Sequence, residues 1–222
     1  YEPADGKPYA GVTWPGFLGI LTGINTCGLA LSMMLVYGHQ RREHLDGLPF
    51  PVLFRQLLQD CASVREADAI LQRKLHCTAT NLILGDATRT AARFQLPPHD
   101  LVVEYTDANT PATACTNHYH ERRIKKFAFT WFSSAVRFGK LRRRIMRDQK
   151  MNVQSIKDAL QDTGIPSINL QRVIMRPEER SMEVSFDHNG TGPGRWVKLP
   201  ADLLFPAYKA PEPAATREPV EV

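Results

Sequence analysis

The chain has 222 residues and 25.0 kDa, with 43% hydrophobic and 23% charged residues, enough apolar content for a sizeable core without disulfides. Its four cysteines (Cys27, Cys61, Cys77 and Cys115) are widely spaced and form no C-x-x-C pair. That argues against a zinc site or a disulfide framework and reads as buried free thiols. The net charge of +5 is uneven, because residues 121–150 carry eleven Lys or Arg against two acids, +9 in all, which leaves −4 for the rest. Such a stretch is either a solvated helix face or a patch for phosphates, acidic lipids or an anionic cofactor such as coenzyme A.

In chain order, residues 17–37 come first as 21 uncharged positions followed by Arg41 and Arg42, a pattern that also fits a membrane span with a basic flank. Gly19, Gly23 and Gly28 weaken a helix there, and Asn25 would lie unpaired near the bilayer centre. The run GINTCG at 23–28 reads better as a turn between two buried strands, 17–22 and 29–36. The expectation is therefore a strand pair and no membrane partner.

LPFP at 48–51 opens a helix, with Pro51 tolerated in the first turn. Phe54, Leu57, Leu58 and Cys61 then repeat at helical spacing and form one apolar stripe. SVRE at 63–66 is a capping box for a second helix, whose core face is Val64, Ala67, Ile70 and Leu71. Four strand-like runs follow at 80–84, 91–96, 101–105 and 112–116, separated by residues suited to turns. A helix over 133–148 places Ser134, Phe138, Leu141 and Ile145 on one face. Another runs from an Asn152 cap to a C-cap at Gly164, with Pro166 beyond it. Two more strands, 170–175 and 182–186, flank a Pro-Glu-Glu turn. The domain is expected over 1–206, and the Pro- and Ala-rich tail over 207–222 reads as disordered. Grouped strands with helices inserted in pairs suggest an α+β sandwich of stacked antiparallel sheets covered by helices.

Several stretches in one order resemble a known family. WPGFLGILTGINTCGLALS at 14–32 is similar to the segment "PG…G-x-x-x-G-[MI]-N-x-x-G-L-A" of the acyl-CoA:isopenicillin N acyltransferase-like family, related to choloylglycine hydrolases and penicillin V acylases. PFPVLFRQLL at 49–58 and SVREA at 63–67 resemble its helical pair, and NLILGD at 81–86 its next strand. TNH at 116–118 and SSAVR at 133–137 match its "TNH" and "S-x-x-x-R" elements. The resemblance spans roughly residues 8–205. It implies an N-terminal-nucleophile hydrolase fold, αββα, with two antiparallel sheets between helical layers.

The chemistry this resemblance implies uses an N-terminal cysteine whose own α-amino group is the base, and an acyl-enzyme that passes its acyl group to water or an amine. Asn117 would supply a side-chain N–H to the oxyanion, Asn25 would assist from its turn, and Arg137 would lie near the nucleophile. Trp14 and His118 are the candidate substrate contacts. Each has a plainer alternative. Asn25 can hold a left-handed turn, Asn117 can end a strand, and Arg137 can pack its stem beside Leu141. His118 and His120 form an H-x-H pair with no third metal ligand in view, so no metal and no cofactor are expected. Tyr1 is not a nucleophile, the Arg and Asp that follow the family's cysteine are missing, and Arg93-Phe94 stands where relatives carry an acid. The expectation is an amide hydrolase or acyltransferase acting on a small-molecule amide or acyl-CoA. Its nucleophile comes from an upstream segment or subunit, a homo-oligomer is possible, and the chain alone is inactive. The alternatives are a catalytically degenerate binding protein and, last, a nucleic-acid binder using residues 122–147.

Overall fold

The computed structural model describes residues 1–38, 46–74, 77–98, 100–148, 151–165, 168–187 and 194–207. Strands β1 (Tyr9–Gly11), β2 (Thr22–Asn25), β3 (Ala30–Leu35), β4 (Thr80–Gly85), β5 (Ala91–Leu96) and β6 (Val102–Tyr105) form one antiparallel sheet in chain order. A second antiparallel sheet contains β7 (Gln171–Arg176), β8 (Ser181–Phe186) and β9 (Val197–Leu199). The helices are α1 (Phe50–Asp60), α2 (Val64–Leu71), α3 (Phe132–Arg147), α4 (Val153–Asp162) and the short α5 (Ala201–Leu204).

Strand alternation separates the layers. Leu82, Leu84 and Phe94 face one side of the larger sheet, where Phe54, Leu57 and Leu58 of α1 and Val64, Ala67 and Leu71 of α2 complete the main core. Truncating any of the three wholly buried α1 side chains to alanine costs about 2–5 kcal/mol. On the opposite side, Ile24 and Ala30 meet Met182 and Val184 of the second sheet. The far face of that sheet carries α4: Lys157 pairs with Glu183 at 2.6 Å, and the Arg172 guanidinium donates to the Leu160 carbonyl at 3.4 Å. Helix, sheet, sheet, helix is the αββα sandwich expected from the sequence.

Local chemistry explains the elements that matter for the site. Helix α1 starts behind Pro49 with Pro51 in its first turn, and Ser63 Oγ caps α2 by accepting from the Glu66 N–H at 3.3 Å. The Glu66 carboxylate takes the Ala62 N–H at 2.8 Å instead of closing a reciprocal box, and the buried Asp86 carboxylate takes the Val64 N–H at 2.8 Å. In the β2–β3 turn Gly28 has φ +85. A Cβ there would also lie 2.5 Å from the Pro177 carbonyl oxygen, so this turn needs glycine.

Some boundaries differ from expectation. The strand read at 17–22 begins only at Thr22, because Ile20 N–H bonds Pro51 O and docks this segment onto the start of α1. Residues 17–37 nonetheless hold β2 and β3, and no described helix is long and apolar enough to cross a membrane. Residues 112–116 form no strand; only an isolated bridge joins Thr116 and His118. Helix α4 ends with Thr163 at φ −110 as its C-cap, not at a left-handed Gly164. Pro166 and the tail from residue 208 onward lie outside the described residues. Strand β9 and helix α5 carry too little periodicity over three and four residues to be read from sequence.

Candidate active site

The polar residues of the larger sheet's inner face converge on the loop that carries the TNH motif. Met34, Asn81 and Gln95 are successive cross-strand neighbours on β3, β4 and β5. Asn81 Nδ2 donates to the carbonyls of Thr116 and His118, both at 2.8 Å, so the residues on either side of Asn117 are clamped. Gln95 Oε1 accepts from the His120 N–H at 2.6 Å and the Glu121 N–H at 3.2 Å. Tyr119 Oη donates to Leu96 O at 2.9 Å. The loop is thus strapped across three strands, and Asn117 has little freedom to move.

Helix α3 closes the loop from above. Ser134 is its one fully buried residue and shares hydrogen bonds with His118 Nδ1 at 2.8 Å and with Thr116 Oγ1 at 3.1 Å. Arg137 Nη2 donates to Asn117 Oδ1 at 2.7 Å, and Asn117 Nδ2 donates to Leu35 O at 2.8 Å. Those two bonds fix which way the amide points and leave one Nδ2 hydrogen unassigned. Phe138 stacks on the His120 ring at 3.7 Å between centroids.

Burial sets the charge states. Burial, reinforced by the charges of His118 and Arg93, lowers His120 to about 3. His118 is lowered by burial first and then by Lys125 and Arg137. Both imidazoles are accordingly neutral near pH 7. Burial alone lowers the Arg137 guanidinium. Four of the five buried side-chain atoms without a partner among the described residues (Asn81 Oδ1, Arg93 Nε, His120 Nε2 and Arg137 Nε) belong to side chains around this loop. Unspent polar capacity among the described residues is therefore concentrated around this loop.

Asn25 is not part of this constellation. Its Nδ2 donates to Leu58 O at 2.8 Å and Cys61 O at 2.7 Å, while its Oδ1 accepts from the Cys27 N–H at 3.0 Å and the Leu29 N–H at 2.9 Å. No hydrogen remains for an oxyanion, and its φ is not left-handed either. It also lies beyond the Ala30 end of β3, whereas Asn117 binds the Leu35 end, about 16 Å away at about 3.3 Å per strand residue. Asn25 is a staple between the β2–β3 turn and the end of α1, and its expected oxyanion role is corrected accordingly. Trp14 sits half exposed between β1 and β2 with its ring 4.4 Å from that of Phe17. No hydrogen bond or ring contact joins it to Asn117 or Arg137 among the described residues. His118 is buried, with its ring engaged by Ser134, so it supports the loop rather than presenting itself to substrate.

Asn81 and Gln95 were missed as site residues, although a polar residue inside an apolar strand run was the available signal. A cleft of about 370 Å³ lies at the other end of β4, lined by Gly85, Asp86, Arg89, Arg176 and Glu178. Its arginines are already paired with Glu178, Glu179 and Glu183, and it is remote from Asn117.

The family described as Acyl-coenzyme A:6-aminopenicillanic acid acyl-transferase matches residues 3–175. The chain belongs to that family. Among solved structures, penicillin V acylase from Agrobacterium tumefaciens superposes with TM-score 0.59 at 15% identity, over 82% of this chain and 71% of that one. A variant of conjugated bile acid hydrolase from Clostridium perfringens gives TM-score 0.58 at 13% identity, over 86% and 76%. An N-acylethanolamine-hydrolyzing acid amidase ortholog from Caenorhabditis elegans gives 0.52 at 16%, over 80% and 74%. No curated protein matches the chain. The chain therefore has the N-terminal-nucleophile hydrolase fold and belongs to an acyltransferase family.

Proposed function

We propose that this chain supplies the oxyanion-stabilising half of an amide hydrolase or acyltransferase that works through an N-terminal cysteine, the nucleophile coming from a segment outside residues 1–222. The cysteine sulfur attacks the carbonyl carbon, its proton passing to the α-amine. The C–N or C–S bond breaks as the leaving group takes that proton. Water or an acceptor amine then attacks the thioester and restores the thiol. No cofactor enters this scheme. The substrate is a small-molecule amide or acyl-CoA.

One observation carries the reading: Arg137 and Leu35 lock the Asn117 amide while one N–H stays unspent. A donor held in advance costs no reorganisation when negative charge develops on the carbonyl oxygen. The burial of Cys61, Cys77 and Cys115 supports a nucleophile other than these three. Burial also pushes Cys61 and Cys115 up to about 12, which keeps both as thiols.

In the complete enzyme, Asn117→Ala should fold normally and bind substrate, while kcat falls about 10²–10³-fold. Asn117→Asp should be at least as harmful, because it sets a carboxylate beside the oxyanion. Near-wild-type turnover in the alanine variant would remove Asn117 from the mechanism. Intact-mass analysis of the protein isolated from its host identifies the nucleophile: the reading requires a Cys α-amine on a piece that co-purifies with this chain.

A further inference from the structure

We infer that the outer face of α3 docks on an anionic lipid bilayer. Of its sixteen residues only Ser134 is fully buried, so most of the helix stands free of the core. At 100° per residue, Phe132, Val136, Arg143 and Arg147 fall on the side opposite Ser134, with Met146 at its margin. Phe132 is 85% exposed and Met146 71%, and with the neighbouring Val136 they make one open apolar patch on this side of the helix. Trp131, just before the helix, is 58% exposed and lies 5.6 Å from the ring of the exposed Tyr37. Paired aromatic rings with one polar edge are suited to the headgroup level of a membrane.

Charge selects the partner. Arg144, on the inward side, is neutralised by Asp158 and Asp162. Arg143 on the outer face and Arg142 at its flank, both exposed, have no ion-pair partner among the described residues. They sit in the +9 stretch of residues 121–150 within a chain of net charge +5. Exposed aromatics at one end of a helix and unpaired arginines at the other make an interfacial helix, whose apolar groups enter the acyl boundary while the guanidinium groups stay with anionic headgroups. A nucleic-acid duplex would use the arginines but not Phe132 and Met146, and a second copy of this basic surface would repel itself. An anionic bilayer uses both. The inference stands apart from the acyl-transfer reading, since it uses none of Ser134, Arg137 and Asn117.

The test is co-sedimentation of the full-length protein with large vesicles of phosphatidylcholine alone and of phosphatidylcholine with 30% phosphatidylserine. The expected result is at least about tenfold stronger partition onto the serine-containing vesicles, since each Lys or Arg near such a surface contributes roughly fivefold. Trp131→Ser with Phe132→Ser, and separately Arg142→Glu with Arg143→Glu, should each reduce that partition about tenfold or more. All four positions are exposed, so the melting temperature of both variants should match the parent. No partition onto either vesicle overturns the inference, and so does partition that both double variants leave unchanged. Concentration-dependent self-association abolished by the Trp131→Ser, Phe132→Ser pair, without vesicle binding, would overturn it in favour of a contact between copies. Amidase or transferase activity in vesicle-free buffer tests the proposed function independently.

Discussion

The two asparagines at opposite ends of β3 are held by opposite uses of the same side chain. Asn25 spends both amide hydrogens and accepts two bonds, all with backbone groups of the β2–β3 turn and the end of α1. Asn117 accepts one charged hydrogen bond from Arg137, donates one to Leu35, and keeps one hydrogen in hand. Both stand in motifs that resemble the same family, yet a fully committed amide cannot respond to a charge that appears during a reaction. A partly committed, rigidly held one can.

The sharpest way to break this contrast is to exchange the readouts. Asn117→Ala should lower kcat of the complete enzyme by about 10²–10³-fold with little change in melting temperature. If stability collapses while turnover in the folded fraction persists, the two residues have been assigned the wrong way round. Asn25→Ala should do the reverse. It leaves the carbonyls of Leu58 and Cys61 and the N–H groups of Cys27 and Leu29 without their partner. The cost is roughly 2–4 kcal/mol, at 1–3 kcal/mol per unsatisfied buried group and with partial relaxation. Thermal melting should show this as a fall of roughly 5–15 °C for a domain of this size, with kcat per folded molecule unchanged.

A smaller effect sharpens the comparison at the loop. Asn81→Asp keeps the shape but replaces two donors with a carboxylate facing the Thr116 and His118 carbonyls. The loop should shift and misplace Asn117, so kcat should fall about tenfold while KM stays near its parent value. A rise in KM with kcat preserved would mean that Asn81 holds substrate contacts rather than Asn117.

The smallest effect is a pH dependence of stability. His120 lies near 3 in the folded protein against an ordinary value of 6.5, and His118 is lowered as well. The unfolded chain therefore binds more protons than the native one below about pH 6.5, and stability falls as pH drops from there toward 3. Melting temperature should already decline between pH 6.5 and 5, before most carboxylates titrate. His120→Phe keeps the stacking on Phe138 and should make that decline shallower. An unchanged slope in the variant would show that His120 is protonated in the native state.

Much of the frame was legible in the sequence because its causes are local. Pro51 and the Phe54, Leu57, Leu58 and Cys61 stripe mark α1, Ser63 marks the start of α2, and Gly28 marks the turn between β2 and β3. The motif order from residue 14 to residue 137 located the fold and the loop at 116–118. What escaped was decided at long range. Residues 112–116 have a strand-like composition but serve as the approach to a loop held by Asn81, Arg93 and Gln95. The segment at 17–21 goes to Pro51 rather than into β2.

Sequence by itself determined the helical pair and the stacked antiparallel sheets, since periodicity, caps and turn residues act within a few positions, and its ordered motifs carried the family resemblance. Only the tertiary structure decided which asparagine is free. Asn25 is consumed by carbonyls 33 and 36 residues away, and Asn117 is oriented by a carbonyl 82 residues away and a guanidinium 20 residues away. A hydrogen-bond inventory is closed by partners that chain folding brings close, and no local pattern records which of them arrive.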